Sequence, residues 1–282
     1  MSHPIQNDIA PRPWFQALCV PLLLSAPPLA ALQTTPSDAA LPPIQFEAGQ
    51  TEPLTALGRL VIQSTGAIEA DVDAFRALLG NPNNGAVPGQ QPAGRREINW
   101  DAVPAAVTNT LHFPNAFFNT NSPRGLVYDL VNRGLEVSDG GFANINPTYP
   151  AEFSSFSGLK TFSPLGNNES HLRFLVAGSN VAAGVRGFGV VFMDVDTAGS
   201  TGFELISVDG TVLDRFTAPV RSDARGASFL GVVYRNPVIG RVRIVTGDGR
   251  LGADQIDISQ GGQHDLVVMD DLLYGEPTAT DD

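Results

Sequence analysis

Four aspartates beside or inside two apolar segments are the residues of this sequence best suited to chemistry. One pair follows the apolar segment 188–193 and the other lies within the apolar segment 266–274; the four are Asp194, Asp196, Asp270 and Asp271. Carboxylates on neighbouring strands can meet, and hard oxygen ligands of this kind suit Ca²⁺. Two interpretations stay open: a calcium site formed by these four aspartates, or strand-end carboxylates that cap turns and pair with the arginines of the chain.

A second candidate is the run Asn99-Trp100-Asp101, which places an amide, an indole and a carboxylate side by side. An indole can stack on a sugar ring while the flanking polar groups bind its hydroxyls, so these residues form a candidate carbohydrate site. Trp100 can equally anchor its strand to the core, because tryptophan combines a large apolar surface with one hydrogen-bond donor.

These candidates favour a non-catalytic binding or surface-interaction module that takes a polysaccharide or a cell-surface component and is stabilised by calcium. The alternative is a secreted hydrolase acting on glycans. Such an enzyme needs two carboxyl groups roughly 5–10 Å apart across a cleft. The pair would come from Asp101, Asp194, Asp196 or Asp270.

The glycine-rich segment 246–252 formally contains the spacing G-x-G-x-x-G of dinucleotide sites. In those sites a helix follows the glycines and a doubly wound sheet surrounds them. Here residues 253–262 carry two adjacent glycines and no helical stripe. We therefore expect a loop at this position and no nucleotide or redox cofactor.

The segment 188–193 consists only of apolar residues and glycine, which predicts a buried central strand. On a continuous strand alternate residues share a face. The even-numbered residues from Phe188 to Asp196 would then lie on one face, and the odd-numbered residues from Gly189 to Val195 on the other. This pattern places Asp194 and Asp196 together at the rim of an aromatic core.

One helix is predicted over residues 64–80, where Ile68, Val72, Phe75 and Leu79 form a single apolar stripe. Ser64 or Thr65 would cap its start. It should pack on the outside or the end of a sheet.

Nine or so short strands, separated by glycine-rich turns, are predicted in the remaining chain. In the hairpin over 203–213, Asp209-Gly210 predicts a two-residue turn with positive φ angles. Many short strands with little helix predict an all-β fold, a β-sandwich of jelly-roll type with one appended N-terminal α-helix.

Composition restricts the partners and the compartment. The net charge is −12 and the pI is near 4.6, which disfavours binding to nucleic acid or to anionic lipid. Residues 1–32 resemble a secretory signal peptide, and the single cysteine, Cys19, lies inside it. We expect a disordered leader or linker over 33–56, one β-sandwich domain over 57–276 and a tail over 277–282. The mature protein would be secreted or held in the cell envelope, without a membrane span.

Two groups of segments resemble a family of uncharacterised secreted bacterial proteins. The first comprises 94–101 (GRREINWD) and 117–125, and the second comprises 188–196 (FGVVFMDVD), 229–234 and 268–275 (VMDDLLYG). The C-terminal segments are also similar to jelly-roll modules related in architecture to galactose-binding-like domains. The resemblance covers roughly residues 60 to 276 and implies the fold and export, but no known reaction.

Overall fold

The computed structural model of the protein describes residues 58–129, 134–223 and 225–280. The strands are β1 (Arg59–Thr65), β2 (Arg95–Ile98), β3 (Leu126–Asp129), β4 (Gly134–Ser138), β5 (Thr161–Leu165), β6 (Glu169–Phe174), β7 (Ala183–Gly184), β8 (Gly187–Met193), β9 (Gly202–Ser207), β10 (Val212–Thr217), β11 (Ala227–Tyr234), β12 (Ile239–Val245), β13 (Val268–Gly275) and β14 (Thr278–Ala279). The helices are α1 (Glu69–Leu79) and α2 (Phe117–Thr120), with 3₁₀ turns at Ala105–Val107, Tyr149–Ala151 and Ile258–Gln260.

Two antiparallel sheets form the body of the fold. The larger sheet has the strand order β1-β11-β8-β13-β5-β4, and β2 joins it by pairing with β13; the smaller sheet has the order β10-β9-β12-β6-β3. Their inner faces share one hydrophobic core, where Phe188 of β8 meets Phe203 of β9 with ring centroids 5.4 Å apart. The predicted all-β class with one substantial helix is confirmed, and the jelly-roll connectivity stays a prediction.

The alternation predicted for β8 holds as far as Met193 and then fails. Phe192 faces the core between the sheets, whereas Val191 and Met193 face a second core on the outer side of the larger sheet. Asp194 has a φ of 71°, a left-handed conformation that interrupts an extended strand. Val195 consequently returns to the core between the sheets. The predicted placement of Val195 on the same face as Val191 and Met193 is therefore wrong, and the alternation does not continue to Asp196.

Helix α1 lies on the outer side of the larger sheet and confirms the predicted stripe. Ile68, Val72, Phe75 and Leu79 are all buried in the outer core. The predicted start was wrong, because Ser64 and Thr65 belong to β1 and the residue preceding the helix, Ile68, makes no side-chain capping hydrogen bond.

The Phe75 ring of this helix packs against two glycines on adjacent strands. Gly189 of β8 pairs directly with Gly231 of β11. A Cβ atom at either position would lie 2.6 Å from a carbon of the Phe75 ring. The missing side chains therefore form a shallow notch that lets α1 approach the sheet closely.

The hairpin over 203–213 is confirmed, but its turn is longer than predicted. Ser207 closes the loop by donating its backbone N–H to the carbonyl of Thr211 at 2.8 Å. Gly210 has a φ of 90°, while Asp209 is not among the positive-φ residues. The loop thus has three residues and ends on one left-handed glycine, a common alternative to the two-residue turn.

A buried ion pair attaches the loop before β2 to the end of β13. Arg96 is 0 % exposed and binds Glu276 through two hydrogen bonds, of 2.7 Å from Nε and 2.6 Å from Nη2. The guanidinium also donates to four backbone carbonyls, those of Gly85, Val87, Gly89 and Pro123. All of its donors are used, so the long loop is held by one side chain.

The described residues lie within one compact unit, Pro43–Asp282. The predicted signal peptide (1–32) and leader (33–56) fall outside the described residues. Part of the predicted tail is ordered, since β14 pairs with β7. Within the described residues no helix is long and apolar enough to cross a membrane.

Candidate metal centre

Five carboxylates from four segments converge at one end of the larger sheet. Asp194 and Asp196 follow β8, and Asp265 precedes β13. Asp257 immediately precedes the 3₁₀ turn Ile258–Gln260, and Glu152 immediately follows the 3₁₀ turn Tyr149–Ala151. We call this set the acidic cluster.

Strand register brings the acidic cluster together. β8 and β13 run antiparallel, and Met193 pairs with Val268. Continuing this register beyond the strand ends places Asp196 opposite Asp265, and the backbone N–H of Asp196 donates to Asp265 Oδ1 at 3.3 Å. The turn that begins at Asp257 is attached to the same segment, because Asp257 Oδ2 accepts the N–H of Leu266 at 2.7 Å.

The acidic cluster divides into two groups of three carboxylates that share Asp257. Glu152, Asp194 and Asp257 form the inner group, and Asp196, Asp257 and Asp265 form the outer group. Within each group, one carboxylate oxygen from each of the three residues lies within 4.8 Å of the other two. The inner group is completely buried, with exposures of 2 %, 0 % and 1 %, whereas Asp196 is partly exposed.

Neutral donors orient three of these carboxylates. Asp265 accepts the N–H of Thr197 at 3.0 Å and the hydroxyl of Ser200 at 2.5 Å, in addition to the bond from Asp196. Asp257 Oδ1 accepts the N–H of Ser259 at 2.7 Å, and the Ser259 hydroxyl donates to Glu152 at 3.1 Å. These bonds position the oxygens without cancelling their charge.

Asp194 and Asp196 have no such support. All four of their carboxylate oxygens are buried without a hydrogen-bond partner. In the part of the chain that the structure describes, no arginine, lysine or histidine forms an ion pair with any member of the acidic cluster. A buried carboxylate must be neutralised by a proton or by a cation.

The pKa values of the acidic cluster express this crowding. Burial, with the neighbouring carboxylates of Glu152 and Asp257, raises the pKa of Asp194 from 3.8 to about 9. Burial and Asp257 likewise raise the pKa of Asp196 to about 7. Burial also raises the pKa of Asp265, although its hydrogen bonds oppose this change. A bound cation would remove the need for these protons.

The structure separates Asp270 and Asp271 from the acidic cluster. The β8–β13 register shifts between Met269 and Leu272, and this bulge lets both side chains reach the same loop. Asp270 Oδ2 accepts the N–H of Ser157 at 3.1 Å, Asp271 accepts its hydroxyl at 2.6 Å, and Asp271 also pairs with Arg76 at 3.2 Å. The predicted grouping of four aspartates is therefore not formed, and Asp271 instead fits the arginine-paired alternative.

Trp100 lies in the core between the sheets rather than on a binding surface. It is 1 % exposed, stacks on Phe162 with centroids 4.2 Å apart, and donates its Nε1–H to the carbonyl of Asp270 at 2.7 Å. The prediction that Trp100 stacks on a sugar is wrong for this conformation, because the stacked face and the edges are covered. Trp100 instead anchors its strand to the core, which is the alternative interpretation of this residue.

The neighbours of Trp100 have different positions. Asp101 accepts the N–H of Leu159 at 2.8 Å and so holds the loop before β5. Asn99 is exposed and lines a cleft of about 340 Å³ together with Asn121, Ser122 and Arg124. Arg124 donates its Nε–H to the carbonyl of Glu97 at 3.0 Å and an Nη1–H to the hydroxyl of Ser122, and burial lowers its pKa. Within the described residues it forms no ion pair with a carboxylate.

Glu152, Asp257 and Asp265 were missed by sequence reasoning. The available signal was weak: Asp265 immediately precedes the last apolar segment, and several aspartates are concentrated between residues 248 and 265. Glu152 gives no local signal, since it lies more than 40 residues from Asp194 in the chain.

Comparison of the chain with protein-family models, with curated proteins and with solved structures gave no match. The resemblance to secreted bacterial proteins therefore stays a prediction.

Proposed function

We propose that this protein is an exported β-sandwich that binds Ca²⁺ in the acidic cluster as a structural ion and acts as a non-catalytic binding or surface-interaction module. The observation that carries the proposal is the set of four buried carboxylate oxygens on Asp194 and Asp196, which have no donor and lie among three further carboxylates.

The chemistry of the donors favours calcium over other ions. Both groups consist of carboxylates alone, without the histidine or cysteine that zinc and copper sites use. Mg²⁺ keeps several of its waters and demands octahedral geometry, whereas Ca²⁺ accepts six to eight oxygens in irregular arrangements. A buried cluster that consists only of carboxylates therefore suits Ca²⁺ best.

The position of the cluster supports a structural role for the ion. It joins the end of β8, the approach to β13 and two 3₁₀ turns that are distant in sequence. An ion bound to all of them would cross-link these segments only in the folded state. At a free concentration 1,000 times Kd, such binding would add about 4 kcal/mol to the free energy of unfolding.

The direct test is thermal unfolding of the purified protein in excess EGTA and in CaCl₂, with MgCl₂ at equal ionic strength as the control. We expect the melting temperature to rise with Ca²⁺ and to change little with Mg²⁺. An identical melting temperature in EGTA and CaCl₂, together with no calorimetric signal for Ca²⁺, would refute the proposal.

For the ligand of the module, the cleft beside Asn99 is the best-supported place. It combines two amides with Arg124, a half-buried cation without a carboxylate partner among the described residues. Amides and a guanidinium are the groups that bind sugar hydroxyls and a uronate carboxylate. We therefore propose an acidic sugar as the ligand. A glycan array should show uronate-containing glycans among the hits, and Arg124→Gln should lose them while Asp254→Asn keeps them.

The hydrolase alternative receives no support from this cleft. A glycosidase places two carboxyl groups on opposite sides of its cleft. The residues that line the cleft include none, and Asp101 is engaged by the neighbouring loop. An array without hits would leave the calcium proposal standing and remove the carbohydrate ligand.

A further inference from the structure

We infer that the acidic cluster is a dinuclear centre that holds two Ca²⁺ ions bridged by the carboxylate of Asp257. This inference rests on the proposed calcium site and adds the number of ions and the bridging residue.

The first argument is geometric. Ca²⁺ lies about 2.3–2.6 Å from its oxygens, so two oxygens bound to one ion are at most about 5 Å apart. The inner and the outer group each satisfy this limit, because one oxygen from each of their three carboxylates lies within 4.8 Å of the other two. The five carboxylates nevertheless form two groups of three rather than one group of five. With one ion in each group, all five carboxylates would be ligands.

The second argument is that each group contains its own unsatisfied aspartate. In the inner group it is Asp194, which is 0 % exposed, and in the outer group it is Asp196. Both oxygens of both residues are buried without a hydrogen-bond partner. A single ion in one group would leave the aspartate of the other group without a partner.

Asp257 has the capacity to bridge. Its Oδ1 accepts the N–H of Ser259 and its Oδ2 accepts the N–H of Leu266, each at 2.7 Å. An ionised carboxylate offers about four lone-pair sites. One site on each oxygen therefore remains for an ion, which allows Asp257 to ligate one ion through each oxygen.

Charge balance agrees with two ions. The five carboxylates carry five negative charges when ionised, so one Ca²⁺ would leave a net charge of about −3 and two would leave about −1. A buried cluster without a basic partner in the described residues is stable only when its charge is nearly neutralised.

The test is isothermal titration of the calcium-free protein with CaCl₂, supported by metal analysis after dialysis. We expect two Ca²⁺ per chain in the wild type. Asp194→Asn and Asp196→Asn should each lower the stoichiometry to one, because each variant loses one group, whereas Asp254→Asn, an exposed aspartate outside the cluster, should keep two. Asp257→Asn should lower the affinity for both Ca²⁺ ions.

The wild-type stoichiometry decides the outcome even if a variant fails to fold. One Ca²⁺ per chain would overturn the dinuclear centre and leave the proposed function intact. No bound Ca²⁺ would overturn both. Energy transfer between Tb³⁺ and Eu³⁺ in the doubly loaded wild type provides a second measure, since it requires two ions in close proximity; its absence would also count against the inference.

Discussion

Replacing Asp194 by asparagine should change the stability of the protein in opposite directions with and without calcium. In the ion-free protein, burial beside Glu152 and Asp257 raises the pKa of Asp194 from 3.8 to about 9. Between these values the native state keeps a proton that the unfolded chain releases. The free energy of unfolding must therefore fall as the pH rises from about 4 to about 9.

The size of the effect follows from the same values. The ordinary pKa of an aspartate, 3.8, lies about 3 units below pH 7, and each unit changes the free energy of unfolding by about 1.4 kcal/mol. The neighbouring carboxylates share this cost, so we expect Asp194→Asn to stabilise the ion-free protein at pH 7 by about 2–4 kcal/mol. For a domain of this size that corresponds to a melting temperature roughly 5–15 °C higher. In Ca²⁺ the variant lacks a ligand and should melt below the wild type.

Differential scanning calorimetry at pH 5 and pH 7, in EGTA and in CaCl₂, measures both the expected stabilisation without Ca²⁺ and the expected destabilisation with Ca²⁺. Asp254→Asn is the matched control, since it makes the same change at an exposed position of a nearby loop and should behave like the wild type. A variant that is less stable than the wild type in EGTA would contradict the buried-charge argument. A variant that gains as much stability from Ca²⁺ as the wild type would show that Asp194 is not a ligand.

Three further predictions concern the rest of the fold. Arg96→Met should lower the free energy of unfolding by about 3–5 kcal/mol in urea titrations, because Glu276 would remain buried without its partner; a loss below 1 kcal/mol would contradict this. Gly231→Ala should cost about 1–3 kcal/mol, because the new methyl would overlap the Phe75 ring, and a double-mutant cycle with Phe75→Leu should reveal coupling between the two positions; additive losses would argue against the contact. Burial raises the pKa of Glu169, but hydrogen bonds from a neighbouring histidine and arginine outweigh it and lower the pKa from 4.5 to about 2. Its contribution to stability should be complete above about pH 4.5 and be lost as the pH falls towards 2, so the stability curves of wild type and Glu169→Gln should converge in acid; parallel curves would refute the assignment.

The elements with strong local periodicity were predictable from the sequence. The stripe of α1 and the apolar run of β8 are short-range patterns, and both agree with the structure. β4 and β5 were not recognised. β5 is completely buried but carries Ser163 and Pro164 among its five residues, and their polarity and backbone restriction conceal a strand pattern.

The candidate site was only half predictable. Asp194 and Asp196 attract attention because they end an apolar strand, whereas the choice of their partners depends on pairing between distant segments. The β8–β13 register, in which Met193 pairs with Val268, decides that Asp265 rather than Asp270 lies opposite Asp196. Sequence spacing contains no such information, because register is set by the packing of both strands.

The sequence by itself determined the all-β class, the helix stripe and the presence of two aspartates at a strand end, since each follows from interactions between residues close in the chain. The tertiary structure decided the rest. The left-handed turn at Asp194 ends the alternation of β8, so that Val195 returns to the core between the sheets. Long-range folding then brings Glu152, Asp257 and Asp265 around this turn. A buried cluster of like charges is a property of that assembly, because each carboxylate alone would be an ordinary solvated group.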